Sequence, residues 1–126
     1  MISIYSIEQA IGAHEAWKHH LQMVIDKAST DIPVERIRGD KHCIFGIWLY
    51  GHDLSEEDKA HARYKIVVNL HAQFHKVAAQ VAELALAGKQ EEAGALLHGE
   101  YALVSDRLTS AMVDWKAALP GNPALA

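Results

Sequence analysis

Residues 55–88, SEEDKAHARYKIVVNLHAQFHKVAAQVAELALAG, decide how the rest of the chain is read. Tyr64, Val67, Val68, His71, Phe74, His75, Ala78, Val81, Ala82 and Ala85 recur at steps of three and four, the period of an amphipathic helix. Ser55 and Asp58 resemble a capping box, acidic residues crowd the first turn as the helix dipole favours, and Gly88 ends the pattern. Toward the N-terminus the same period returns in Ile4, Ile7, Ile11, His14, Trp17, Leu21, Val24, Ile25 and Ala28, predicting a helix over about residues 6–29. Toward the C-terminus, Leu97, Tyr101, Val104, Leu108, Ala111, Met112 and Trp115 predict a helix from near Lys89 that stops before Pro120. Pro33 and Gly39 mark a connection. Between it and residue 55, KHCIFGIWLY reads as a short helix of three turns, with Asp40 as N-cap and Gly51 as C′ residue. Its Ile, Phe, Trp and Tyr also suit a buried strand, but no partner strand is visible elsewhere. The expectation is an all-α fold, an antiparallel four-helix bundle with one short helix carrying the cysteine.

Composition bounds the function. The 126 residues, half of them hydrophobic, make one domain over 1–126, with 118–126 (ending PGNPALA) an irregular tail. A net charge of −4 and a pI near 6.1 argue against nucleic acid. No apolar run reaches the roughly 20 residues of a membrane span, and MISIYSIEQA lacks the features of a signal peptide, so a cytoplasmic location is expected. The single Cys43 excludes an intramolecular disulfide and leaves a reduced thiol. Internal repeats and low-complexity segments are not visible.

Nine histidines are many for this length, and they sort by helical face. His19, His20, His42, His52 and His98 fall at helix ends or off the stripes and read as surface residues. His14, His71 and His75 occupy positions where the pattern calls for core residues. A buried imidazole needs partners for both nitrogens or costs about 1–3 kcal/mol, so three of them ask for a common explanation. His71 and His75, four apart, project from one face a single turn apart. With His14 on a second helix and Cys43 on the short one, three nitrogens and one sulfur can meet inside the bundle, the donor set of tetrahedral zinc.

The segments AIGAHEAWKHHL, HCIFGIWLYG and NLHAQFHKVA, taken in order, resemble the chemoreceptor zinc-binding (CZB) domain over nearly the whole chain. The family pattern has a His followed three residues later by Trp, then Cys-x-Phe-Gly-x-Trp, here Cys43, Phe45, Gly46 and Trp48, then a His-x-x-x-His pair. The resemblance implies one Zn²⁺ held by His14, Cys43, His71 and His75 within a four-helix bundle. It also implies a sensor that answers zinc or an oxidant such as hypochlorous acid and tunes a chemotaxis receptor or a diguanylate cyclase. Unlike family members joined to such an output, this chain is taken up entirely by the zinc domain, so a stand-alone sensor acting on a separate signalling partner is expected.

In that reading Cys43 is a zinc-bound, redox-sensitive thiolate near a helix N-terminus, shielded by Trp17, Phe45 and Trp48. Oxidation to sulfenic acid would weaken one ligand of four and loosen the short helix. A structural zinc that staples an interaction module is the alternative, since closed four-ligand sites are usually structural. Enzyme readings fit less well. HEAWKH places its second His five residues on, so it is not a zinc-protease HExxH; a thiol nucleophile needs an exposed Cys–His pair, whereas the large apolar residues flanking Cys43 favour an enclosed one; core carboxylates are too few for a di-iron bundle. A histidine phosphotransfer module would use His14 with Lys18 and requires His14 to be exposed. Ile4, Ile7, Trp115 and Leu119 read as an apolar surplus available to a homodimer face.

Overall fold

The computed structural model describes residues 4–41 and 43–118, with the side chains of residues 4–6 and 44 left out. His42, Leu119 and the tail from 119 onward, together with the side chain of Ile4, lie outside the described residues. Among the described residues every regular element is helical.

Helix α1, Ile4–Lys27, ends on Ala28 in the left-handed region (φ 52°), a position glycine fills more cheaply. The connection expected between Pro33 and Gly39 contains a helix of its own, α2, Val34–Arg38. Proline is tolerated where a helix begins, because the first N–H groups have no intrahelical partner, so Pro33 starts a turn here. Ile37 is buried beneath it.

Helix α3 spans Ile44–Tyr50, two turns and not the expected three. Its N-cap is Cys43, whose sulfur accepts the Gly46 N–H at 3.2 Å. Asp40, expected in that role, instead accepts a hydrogen bond from Tyr50 Oη at 2.6 Å. Gly46 is required by close approach, because a Cβ there would overlap the Asp40 carbonyl oxygen.

The helix expected from residue 55 to 88 is two helices. The capping box of Ser55 and Asp58 forms, with reciprocal bonds of 3.0 and 2.9 Å, and starts α4, Glu56–Ala60. None of α4 is buried, so only local bonds align it with the long helix after it. At His61 the backbone extends (ψ 139°), the imidazole Nδ1 accepts the Arg63 N–H, and α5 runs from Ala62 to Leu86. Gly88 (φ 81°) closes α5 with a Schellman motif, Lys89 N–H to Leu84 O at 2.9 Å and Gly88 N–H to Ala85 O at 3.2 Å.

The last helix is also interrupted. Helix α6, Gln90–Leu96, passes through a π-helical turn, Leu97–Tyr101, into α7, Ala102–Ala118. Gly94 just before the wide turn and Gly99 within it weaken the α ladder there. Ala118, expected in the irregular tail, belongs to α7.

Helix α5 sits at the centre, packed on α1, α2, α6 and α7, while α3 lies against α1. Phe74, Leu21, Leu49, Leu97, Leu108, Met112 and Trp115 fill the core. Ile7 and Trp115, read from the sequence as surplus for a dimer face, are inside the protomer's own core at 0 and 2 % exposure. Arg38 pairs with Glu83, tying α2 to α5; Arg63 with Asp114 (3.2 Å) and Lys116 with Glu8 (3.4 Å) tie α7 to α5 and α1. Such exposed pairs contribute at most about 1 kcal/mol each, so apolar burial holds the helices together. No helix among the described residues is long and apolar enough to cross a membrane.

Candidate metal centre

Four side chains meet where α1, α5 and the start of α3 come together. One donor atom from each of His14, Cys43, His71 and His75 lies within 4.8 Å of all the others. The stripes explain three of them: His14 faces inward from α1, and His71 and His75 from successive turns of α5, all at 3 % exposure or less. Cys43 arrives differently, placed by the cap of α3 and only half-buried.

Hydrogen bonds orient the rings. His14 Nδ1–H donates to the Ala10 carbonyl at 2.7 Å, and His75 Nδ1–H to the Ile37 carbonyl at 2.8 Å. In a neutral imidazole this leaves Nε2 as the lone-pair nitrogen on both rings. His75 Nε2 then faces His71 Nε2 at 3.1 Å, and His71 Nε2 faces Cys43 Sγ at 3.3 Å. His14 Nε2 and His71 Nδ1 are buried with no hydrogen-bond partner among the described residues.

Converging lone pairs repel unless a cation stands among them. Protonation is opposed by the surroundings: burial, followed by the charge His75 would carry, lowers His14 to about 4 against the pull of the Ala10 carbonyl. Burial, then His75 and His14, lowers His71 to about 2. Burial likewise raises the Cys43 thiol, with the Gly46 and Phe45 N–H groups pulling the other way. A divalent ion would satisfy all four donors at once, including His14 Nε2, which has no hydrogen-bond partner among the described residues. Zinc fits by donor type and spacing: arms of 2.0–2.3 Å give tetrahedron edges of roughly 3.4 Å, and the His71–His75 and His71–Cys43 donor pairs already stand near that. The Ala10 and Ile37 carbonyls are the partners expected behind zinc-ligating imidazoles, fixing tautomer and ring direction.

Aromatic rings enclose the cluster. Phe45 meets His14 and His71 edge-on, with centroids 5.8 and 5.3 Å apart. Trp48 stands one layer out, stacked on Phe45 at 5.6 Å and touching Trp115. Trp17 is half-buried beside a cleft that reaches Cys43 and His75. Phe74, 4.9 Å from His14, was not singled out from the sequence as a shield, although its place between His71 and His75 on the α5 stripe signals it. The Ile37 carbonyl had no sequence signal.

The histidines read as surface residues are exposed at His19, His52 and His98. His20 is half-buried against Trp17, its Nε2 enclosed. His14, at 3 % exposure, cannot meet an aspartyl-phosphate partner, which removes the phosphotransfer reading.

Comparison with protein families matches residues 14–82 to the chemoreceptor zinc-binding domain, a stretch that contains all four clustered side chains. No curated protein and no solved structure matches the chain.

Proposed function

This chain belongs to the chemoreceptor zinc-binding domain family, and from that premise we propose that it is a regulatory zinc sensor with His14, Cys43, His71 and His75 as its four ligands. The observation that carries the assignment is the convergence of three imidazole nitrogens and one sulfur in a core that disfavours protonating His14 and His71. Zinc bound there would hold Cys43 as a thiolate. The Ala10 and Ile37 carbonyls aim two of the imidazoles, and Phe45 and Phe74 keep water from the buried side.

Cys43 is the redox-sensitive ligand in this reading. With hypochlorous acid the thiolate sulfur loses two electrons and gains hydroxyl, chloride leaves, and the resulting sulfenic acid is a poorer donor. The same sulfur caps α3, so its loss from the cluster frees the Gly46 N–H and loosens that helix. The output is a signalling protein of the chemotaxis or cyclic di-GMP type. A homodimer is proposed with it, supported by the exposed Ile66, Leu103 and Val113 on α5 and α7, and an antiparallel four-helix bundle is the proposed arrangement of the long helices.

A structural zinc is the second reading, favoured by the near-complete burial of three ligands. Metal content by plasma mass spectrometry, on untagged wild type and the Cys43→Ala and His71→Ala variants, tests the site. About one zinc per chain is expected, with affinity reduced on the order of a hundredfold or more in each variant, since four ligands share roughly 10–16 kcal/mol. Helical circular dichroism retained in Cys43→Ala favours the sensor; joint loss of metal and fold favours the structural role. Metal-free wild type indistinguishable from the variants would overturn the zinc assignment.

A further inference from the structure

The four donors are not equally reachable. The three imidazoles are at 3 % exposure or less, whereas Cys43 is half-buried and, with one edge of His75, lines an open cleft of about 330 Å³. Trp17, Ile32 and Pro33 give it apolar walls, and Asp31 and Arg36 give it charge. The two arginines of α2 differ. Arg38 is engaged by Glu35 and Glu83, while the guanidinium of the exposed Arg36 has no ion pair or hydrogen bond among the described residues. A permanent cation beside low-dielectric walls concentrates anions locally. The volume lies at the small end of ligand sites, enough for a small molecule and too little for a folded partner.

We propose that this cleft is the port through which small anions, carboxylate chelators and anionic thiol reagents alike, reach the Cys43–His75 edge of the metal centre, with Arg36 setting their preference over neutral molecules and Asp31 opposing it. The inference deepens the sensor reading and rests on it for its biological meaning. Ligand exchange would begin at Cys43, the one half-buried donor of the four, because the three imidazoles are at 3 % exposure or less.

The test uses the metal-free full chain, alkylated by iodoacetate or by iodoacetamide. In both, the Cys43 thiolate forms a sulfur–carbon bond and iodide leaves with the carbon–iodine electron pair. The reagents differ in charge, so the ratio of their rates cancels the thiolate fraction and isolates the field in the cleft. Removing one charge a few ångströms from the path changes such a ratio by about 3- to 5-fold. Arg36→Gln is expected to lower the iodoacetate-to-iodoacetamide ratio by that factor and Asp31→Asn to raise it, with Ile32→Trp slowing both reagents. Both charged side chains are exposed, so the first two variants keep the fold. A ratio unchanged in both charge variants, or rates untouched by Ile32→Trp, would overturn the port. Because no metal is present, failure here leaves the zinc stoichiometry untouched, and failure of the zinc assignment leaves these ratios measurable.

Discussion

Acidifying the metal-free protein should destabilise it before its carboxylates titrate. His14 and His71 have pKa values lowered by folding from 6.5 to about 4 and about 2, burial being the main cause. Below pH 6.5 the unfolded chain therefore binds protons that the native chain does not, so stability is flat above that pH and falls as pH drops toward the native values. At pH 5 the unfolded state gains about 2 kcal/mol from each imidazole, or about 4 kcal/mol together. Both side chains are enclosed, so solvent screening does not reduce the effect. With an unfolding entropy of roughly 2 cal/mol/K per residue, that loss lowers Tm by about 15 °C between pH 7.5 and pH 5. Far-UV circular dichroism melts in the presence of a chelator measure it, and a His14→Met/His71→Met double variant is the control, since it has neither group to titrate. A wild-type shift under about 5 °C, or an equal shift in the double variant, would refute the account of a cluster that resists protonation.

Gly46→Ala should be costly although it adds one methyl group. Its Cβ would strike the Asp40 carbonyl and lie 3.1 Å from Lys41 Cα, backbone atoms that cannot yield cheaply, so a loss of about 1–3 kcal/mol by urea denaturation is expected. Two tyrosines should respond in opposite ways to loss of the hydroxyl. Tyr64 Oη donates to the Leu49 carbonyl at 2.8 Å, so Tyr64→Phe should cost about 1–2 kcal/mol; Tyr101 Oη is buried without a partner, so Tyr101→Phe should be neutral or stabilising. Equal losses in both variants would show that packing around the rings, and not hydrogen bonding, governs these positions.

The long helices were legible because burial imposes a period on the sequence. Ile7, Leu21 and Val24 in α1, and Val67, Phe74 and Val81 in α5, are the buried residues their spacing implies. The site was legible for the same reason, since imidazoles at core positions break the pattern that apolar residues keep. What escaped was short or local. Helix α2 is one turn and a half, too brief to show a period, and its flanking Pro33 and Gly39 suit a loop equally well. The break at His61 comes from one side chain capturing one N–H, and the π turn at Leu97–Tyr101 leaves the apolar spacing almost unchanged. Backbone acceptors such as the Ile37 carbonyl carry no residue identity at all.

That division between long and short elements also separates the ligands. His14, His71 and His75 ride on helices of 24 and 25 residues whose faces are packed along their length. Cys43 caps a helix of seven residues, too short to be stable alone, held by the burial of Phe45 and Leu49 and by the sulfur's own bond to Gly46 N–H. Perturbing an imidazole therefore strains the core, whereas perturbing the sulfur acts on the element least able to resist. If the centre is a switch, α3 and the segment leading into it must move while α5 stays, and hydrogen exchange offers a direct reading. On metal removal or Cys43 oxidation, the amides of Gly46–Tyr50 should lose protection well before those of Val67–Ala82. Loss of protection in both segments together would mean that the metal centre is a staple for the whole fold.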